Sequence, residues 1–349
     1  MGRSQATPGA GRTGMAELGR IVVALVVVRV DVRVVGLMAV LLGAAPLAAQ
    51  QVPDRDFRPA VPRPGYASGA GPRLCLDEAH HNFHTLDDRF WSFGELARRD
   101  GYRVAPSREA ITAAALAKCD LFVISNAQWS DAEWDEYPTP TPSAFSDAEI
   151  AAMHRWVDGG GRLLLIADHM PMAGAAMKLA AAFGASFIDG FAYKRPPEGA
   201  TTRAEIGQND VPTLFLPGEG TLTDHPIVRG RDSAERVTQV QSFTGQAFRV
   251  EGAGTQPVLV LPADFIILKP RIAWQFDAST PREPVGGWSQ GATRRVGRGR
   301  VAFFGEAAMF SAQVTGPQRR PMGMNAPLAT QNAQFALNTL HWLSGLVEP

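Results

Sequence analysis

"SDAEIAAMHRWVDGGGRLLLIADH", residues 146–169, decides how the fold is read. Ser146 and Glu149 stand three apart, ahead of Ile150, Met153 and Val157 at helical spacing. That is a capping box leading into one apolar face. Gly159-Gly160-Gly161 stops the helix, and Leu163–Ala167 is then apolar without a break, as a strand covered on both faces must be. The strand ends in Asp168-His169. Helix, glycine stop, buried strand and polar elbow make one unit of an α/β sheet.

The same unit recurs on either side. Strands are expected at Leu74–Asp77, Tyr102–Ala105, Asp120–Ser125 and Gly299–Phe304, with helices over Asp87–Arg99, Glu109–Ala117, Met172–Phe183 and Ala326–Leu346. Strand–helix alternation implies parallel strands joined by right-handed crossovers, hence a doubly wound, mostly parallel α/β sheet. Between 200 and 297 the pattern changes to short strand-like runs punctuated by Pro and Gly: Thr213–Leu216, Val237–Phe243, Pro257–Leu261, Phe265–Leu268 and Ala273–Phe276. This reads as a β-rich insertion or extension of one domain spanning 73–346. The stretch 128–145, QWSDAEWDEYPTPTPSAF, is acidic, aromatic and proline-rich, and reads as an exposed binding loop or lid.

Ahead of the domain, residues 34–49 form an apolar run of 16 behind Arg29 and Arg33, ending in small residues. Residues 1–50 are expected to be a signal peptide, with the true start downstream of Met1 and cleavage near Ala49-Gln50. A retained signal anchor is the alternative. The run is short for a stable membrane span, which needs about 20 residues. Residues 51–72 read as an extended Pro/Gly-rich linker. The expected location is periplasmic or secreted.

Removing residues 1–50 leaves 29 basic and 32 acidic residues, a balance with no nucleic-acid footprint. Cys75 and Cys119 are the two cysteines of the chain. They read first as small buried hydrophobes and second as one disulfide.

Ligands of an open parallel sheet bind outside the carboxyl ends of its strands. Three strands end there in titratable groups: the first in Asp77, Glu78, His80, His81 and His84, the fourth in Asp168 and His169, the late strand in Glu306. All eight are candidate catalytic residues, and His80 or His81 is expected within reach of Asp168, His169 or Glu306. Imidazole with carboxylate suits a divalent metal, for which His80, His84, Asp168 and His169 are the candidate ligands. A carboxylate orienting a histidine base is an alternative reading of the same residues, and a solvated polar turn is the bland one. His225 reads as a turn residue, and His154 and His341 as surface or boundary positions.

From Arg73 to Leu346 the chain resembles the class I glutamine amidotransferase-like superfamily. "MHRWVDGGGRLLLIADHMP" and "DHPIVRG" are similar to segments of its trehalose-utilisation (ThuA-like) branch, and "DEAHHNFHT" and "GRVAFFGEAAMFSAQ" to exported bacterial relatives. The resemblance implies a flavodoxin-like fold. It also implies a nucleophilic Cys at the elbow where this sequence has Asp168-His169, so acyl-enzyme chemistry lacks its thiolate. The expectation is therefore an exported domain that binds a small molecule, glycan or envelope protein at its carboxyl edge. A metal-assisted or general-base hydrolase on the same edge is the alternative.

Overall fold

Ser146 and Glu149 cap each other reciprocally: the Ser146 hydroxyl accepts from the Glu149 amide at 3.3 Å, and Glu149 accepts from the Ser146 amide at 3.0 Å. The helix they open closes on Gly160, at φ +115°, and Gly161, where any Cβ would lie 2.3 Å from the Trp156 ring. The chain can then turn sharply into the buried strand. The computed structural model describes residues 51–202, 205–206 and 212–348. The signal-peptide reading falls on residues 1–50, outside the described residues.

In chain order the elements are β1 (Gln51–Pro53), β2 (Arg73–Asp77), α1 (Trp91–Arg99), β3 (Arg103–Ser107), α2 (Ala113–Leu116), β4 (Leu121–Ser125), α3 (Asp147–Asp158), β5 (Arg162–Ile166), α4 (Met172–Ala182), β6 (Ala185–Phe187) and β7 (Phe191–Lys194). There follow β8 (Thr213–Phe215), α5 (Pro226–Arg229), β9 (Val240–Ser242), β10 (Phe248–Val250), β11 (Thr255–Val260), β12 (Phe265–Leu268) and β13 (Arg282–Pro284). The chain ends with β14 (Ser289–Val296), β15 (Gly299–Phe304), β16 (Ala312–Thr315), β17 (Arg320–Gly323) and α6 (Asn332–Ser344).

The main sheet has nine strands in the order β3-β2-β4-β5-β15-β14-β10-β6, with β11 also paired to β14. Its first five strands are mutually parallel. From β14 onward every pairing is antiparallel. The α/β class holds, but the sheet is mixed, because the β-rich region supplies β10, β11 and β14 to it. Those residues extend the sheet rather than forming a body of their own. Smaller sheets, β13-β12-β7, β8-β9 and β1-β16-β17, flank it.

Alternation along the parallel strands makes two cores. Leu74, Leu76, Val123, Leu164, Ile166 and Phe304 face α1 and α6. Cys75, Phe122, Ile124, Leu163, Leu165 and Phe303 face α3 and α4. Successive side chains of a strand point to opposite faces, so an unbroken apolar run requires helices on both. Each such buried side chain contributes roughly 1.5–3 kcal/mol.

Several expectations are corrected. Cys75 and Cys119 are buried, and they are joined in a disulfide with Cα atoms 5.8 Å apart. Residues 51–72 run extended but are not a loose linker: β1 pairs with β16, Phe57, Val61 and Tyr66 pack on the core, and the Tyr66 amide donates to Asp100 O. The expected helix 109–117 shrinks to Ala113–Leu116 because Thr112 takes the N-cap, accepting from Ala115 at 3.1 Å. Ala273–Phe276 is no strand, since Trp274 sits at φ +67°, outside the β region. His341 is not a boundary residue. It is fully buried and 2.7 Å from Asp100.

Candidate functional site

The carboxyl ends of β2, β4, β5 and β15 lie side by side, so the convergence of polar strand ends is present at the level of backbone. The side chains, however, sort into separate groups. Asp77 continues the Cys75 row toward α3. Asp168 and Glu306 each lie two residues past the registered pair Ile166–Phe304, on neighbouring strands.

The first group is built around the Asp77 carboxylate. The loop after β2 folds back onto it: His80 Nδ1 lies 2.9 Å from both Asp77 oxygens, and Asn82 Nδ2 donates to it at 3.1 Å. His80 Nε2 reaches Glu149 Oε1 at 3.0 Å. The imidazole is thus clamped between two carboxylates, and its side chain is 7 % exposed. Burial disfavours the charged ring, but the hydrogen bonds and charges of Asp77 and then Glu149 outweigh it, and the His80 pKa is raised. For Glu149 burial is likewise outweighed, by the Ser146 hydrogen bonds and then His80, and its pKa falls to about 2. Glu149 also accepts from the Ile111 amide at 3.1 Å. One capping glutamate therefore ties α3 to two loops at once.

His84 takes the other face. Its Nδ1 lies 2.9 Å from Ser125 Oγ, and its ring stacks on Phe90 at 4.6 Å. Burial, then the charge of Arg89, pushes its pKa well below the usual imidazole value, so the ring is neutral. His81, at φ +48°, points outward to Asp131 at 2.8 Å, with 43 % of its side chain exposed.

The second group is Asp168 with Glu306. Glu306 is 1 % exposed and accepts from the Ala308 and Met309 amides at 2.6 and 2.9 Å. Burial, then the Asp168 charge, holds the Glu306 pKa well above the usual carboxylate range. Asp168 is half-buried, and its amide donates to Asn126 Oδ1 at 2.9 Å. His169 stacks on Phe191 at 4.6 Å and meets the Trp274 ring edge-on at 4.5 Å, and its Nδ1 lies 2.6 Å from Met170 O.

His80 therefore finds its partners at Asp77 and Glu149, not at Asp168, His169 or Glu306. The expected metal set of His80, His84, Asp168 and His169 is not assembled. Among the described residues no three His, Cys, Asp or Glu side chains are placed to hold a metal ion. The physical reason is the strand alternation that sends Asp77 and Ser125 to opposite faces.

An open groove of ≈ 470 Å³ lies between the loops that follow β2 and β4, with Glu78, His81, Phe83, Asp88, Arg89 and Asp131 among its lining residues. Its far wall begins the acidic, aromatic loop. That loop is anchored where Gln128 Nε2 donates to His81 O at 2.8 Å and Trp134 Nε1 donates to Gln128 Oε1. Sequence reading missed Glu149, Ser125, Asn126, Arg89 and Gln128. The capping box did mark Glu149, but only as a cap.

No family model matches the chain, and no curated protein does. Among solved structures, the mmIFT52 N-terminal domain is similar at 13 % identity and a TM-score of 0.51, over 78 % of this chain and 97 % of that one. A protein described as ThuA-like from Bacteroides uniformis is similar at 11 % identity and 0.41, over 82 % and 95 %. A Thermoplasma acidophilum protein described as part of a GMP synthase follows at 10 % and 0.37, over 78 % and 94 %. The first is a likeness of fold. The structural neighbours thus include ThuA-like and amidotransferase-type proteins, all at low identity.

Proposed function

We propose that this chain binds a small polar ligand, without covalent catalysis, in the groove between β2 and β4. One observation carries the reading. The chain adds β3 on one side of β2 and then crosses to place β4 on the other, and the groove opens at the carboxyl end of that switch. Open α/β sheets bind ligands at such points. The order β3-β2-β4-β5-β15 supports taking the parallel half as a flavodoxin-like winding. The disulfide consumes both cysteines, so no thiolate is left for amidotransfer. A disulfide also favours an exported, oxidising setting. No described helix is long and apolar enough to cross a membrane.

A second reading has its own support. Asp168 and Glu306 are neighbouring carboxyl groups in unlike settings, the first half-buried and the second fully buried with its pKa raised, as an acid and base pair requires. It is the general-base hydrolase alternative, moved from His80 to the β5–β15 end.

Fragment screening of the ¹⁵N-labelled protein separates the two. Binding in the groove shifts amides 78–89 and 126–131. Hits confined to 168–170 and 306–309 would defeat the groove reading and favour the second.

A further inference from the structure

The loop after β4 is fastened at both ends and closes on itself between them. At its start the Gln128 amide donates to His80 O at 2.9 Å, and Gln128 Nε2 donates to His81 O at 2.8 Å. At its end Thr139 Oγ1 donates to Arg271 O at 2.6 Å, and the Ala144 amide donates to Ala175 O at 2.9 Å. Residues 129–138 lie between these points. There the Ser130 amide donates to the Tyr137 hydroxyl at 3.3 Å, that hydroxyl donates back to Ser130 O, and the Trp129 ring meets Tyr137 edge-on at 5.6 Å. Tyr137 is 6 % exposed. The lobe thus carries a small core of its own, as compact surface loops do, and can move without unfolding.

Two side chains of the lobe reach the body. Asp131 meets His81, but that pair is largely exposed and contributes little. Trp134 holds harder. Its ring lies 5.5 Å from Phe83, on the loop after β2, and edge-on at 6.0 Å from His169, on the loop after β5. It also packs against the apolar cluster that contains Met170, Phe191 and Leu268. Its Nε1 donates to Gln128, at the fastened base. Charge adds no comparable hold. Asp131, Glu133, Asp135 and Glu136 are exposed carboxylates within six residues, and the groove wall beside them carries Glu78 and Asp88.

We infer, resting on the groove reading above, that residues 129–138 are a lid over that groove, closed in this structure, with Trp134 as its latch. The latch stands where the groove ends and the Asp168–His169 end of the sheet begins. Swinging it out joins the ≈ 470 Å³ groove to the aromatic face formed by His169, Phe191 and Trp274. A ligand that takes the place of the indole against Phe83 or His169 binds the open form, so the population of that form regulates entry.

Distances between paired spin labels test the lid. Both native cysteines are tied in the disulfide, so introduced thiols are labelled selectively. Asp135→Cys at the lobe tip is paired with Glu109→Cys on the body, and Glu109→Cys with Lys178→Cys is the control; all three positions are exposed. The lobe pair should show a dominant closed distance. Trp134→Ala should raise a second, open population about fivefold or more. Trp134→Phe, which keeps a ring but loses the bond to Gln128, should raise it less, with the control pair unchanged throughout. A single unchanged lobe distance in wild type and both variants overturns the lid. So does a control distance that broadens together with the lobe distance in both variants, because the lobe is then part of the folded core. The measurement uses no ligand, so a rigid lobe leaves the groove reading to stand or fall on the fragment screen.

Discussion

Two pairs of carboxyl groups sit at the same sheet edge and are accommodated in different ways. Asp77 and Glu149 hold the imidazole of His80 between them. Asp168 and Glu306 have no ion-pair partner among the described residues, and burial, then the Asp168 charge, shifts Glu306 toward its protonated form. Burying an uncompensated ion costs several kcal/mol, and the two regions lower that cost by hydrogen bonding to a shared imidazole and by favouring the protonated acid. The difference teaches what each can do. The clamped histidine has both nitrogens committed and serves to position the groove's near wall, whereas Glu306, with its raised pKa, is the group suited to exchanging a proton.

The largest effect should come from breaking the clamp. Asp77→Ala strips His80 and Asn82 of their shared partner, and loss of one member of a buried pair costs about 3–5 kcal/mol. Urea unfolding checks this. A cost below about 1 kcal/mol would mean the clamp is not a structural unit.

The disulfide comes next and sharpens the contrast, because it ties β2 to the turn before β4 and does not touch β5 or β15. Closing a loop over a separation of 44 residues is worth about 4 kcal/mol in the chain-entropy account. Reduction, or Cys75→Ser with Cys119→Ser, should speed amide exchange in 78–89 and leave 306–309 nearly unchanged. Equal loosening at both ends would show that the two regions form one cooperative unit.

The smallest effect, read at acid pH, separates the regions by sign. Glu306→Gln replaces the buried acid by a neutral isostere that cannot ionise, so near pH 4 it should change stability by less than about 1 kcal/mol. The raised Glu306 pKa means that its contribution is full below the unfolded carboxylate value near 4.5 and declines as pH rises above it. Glu306→Gln should flatten that decline. The clamp behaves oppositely on its acid side. Glu149, lowered to about 2, stabilises above its unfolded value near 4.5 and loses that contribution as pH falls toward about 2. His80, with a raised pKa, stabilises fully below 6.5 and ceases to do so as pH rises through its folded value. Melting curves of the wild type, Glu306→Gln and Glu149→Gln from pH 3 to 9 read all three trends. A Glu306→Gln curve parallel to wild type would remove the proton from the comparison.

Local order was legible where one residue's neighbours in sequence suffice to define its environment. The capping box at Ser146–Glu149, the glycine stop at 159–161 and the doubly buried runs at β2, β4, β5 and β15 follow from spacing alone. The polar strand ends were legible too, because parallel strands place their carboxyl ends together. Ser289–Val296 was not: SQGATRRV carries little apolar signal, and it becomes a strand because β15 and β11 flank it with unpaired backbone groups. The helix expected over Asp87–Arg99 begins only at Trp91, since turns from Thr85 and Asp88 use the first residues to shape the groove wall.

The amino-acid order by itself determined the α/β class and the edge at which chemistry-bearing side chains gather, because both follow from periodicity and chain direction. Only the tertiary structure decided how those side chains divide. A one-residue change in strand phase sends a side chain to the opposite face, so Asp77 is bridged through His80 to Glu149 on α3 while the Asp168 charge acts on Glu306. Partners separated by 69 residues, as His80 and Glu149 are, have no local pattern to mark them. Their pairing is set by where the helices pack, and by the cost of leaving a buried charge alone.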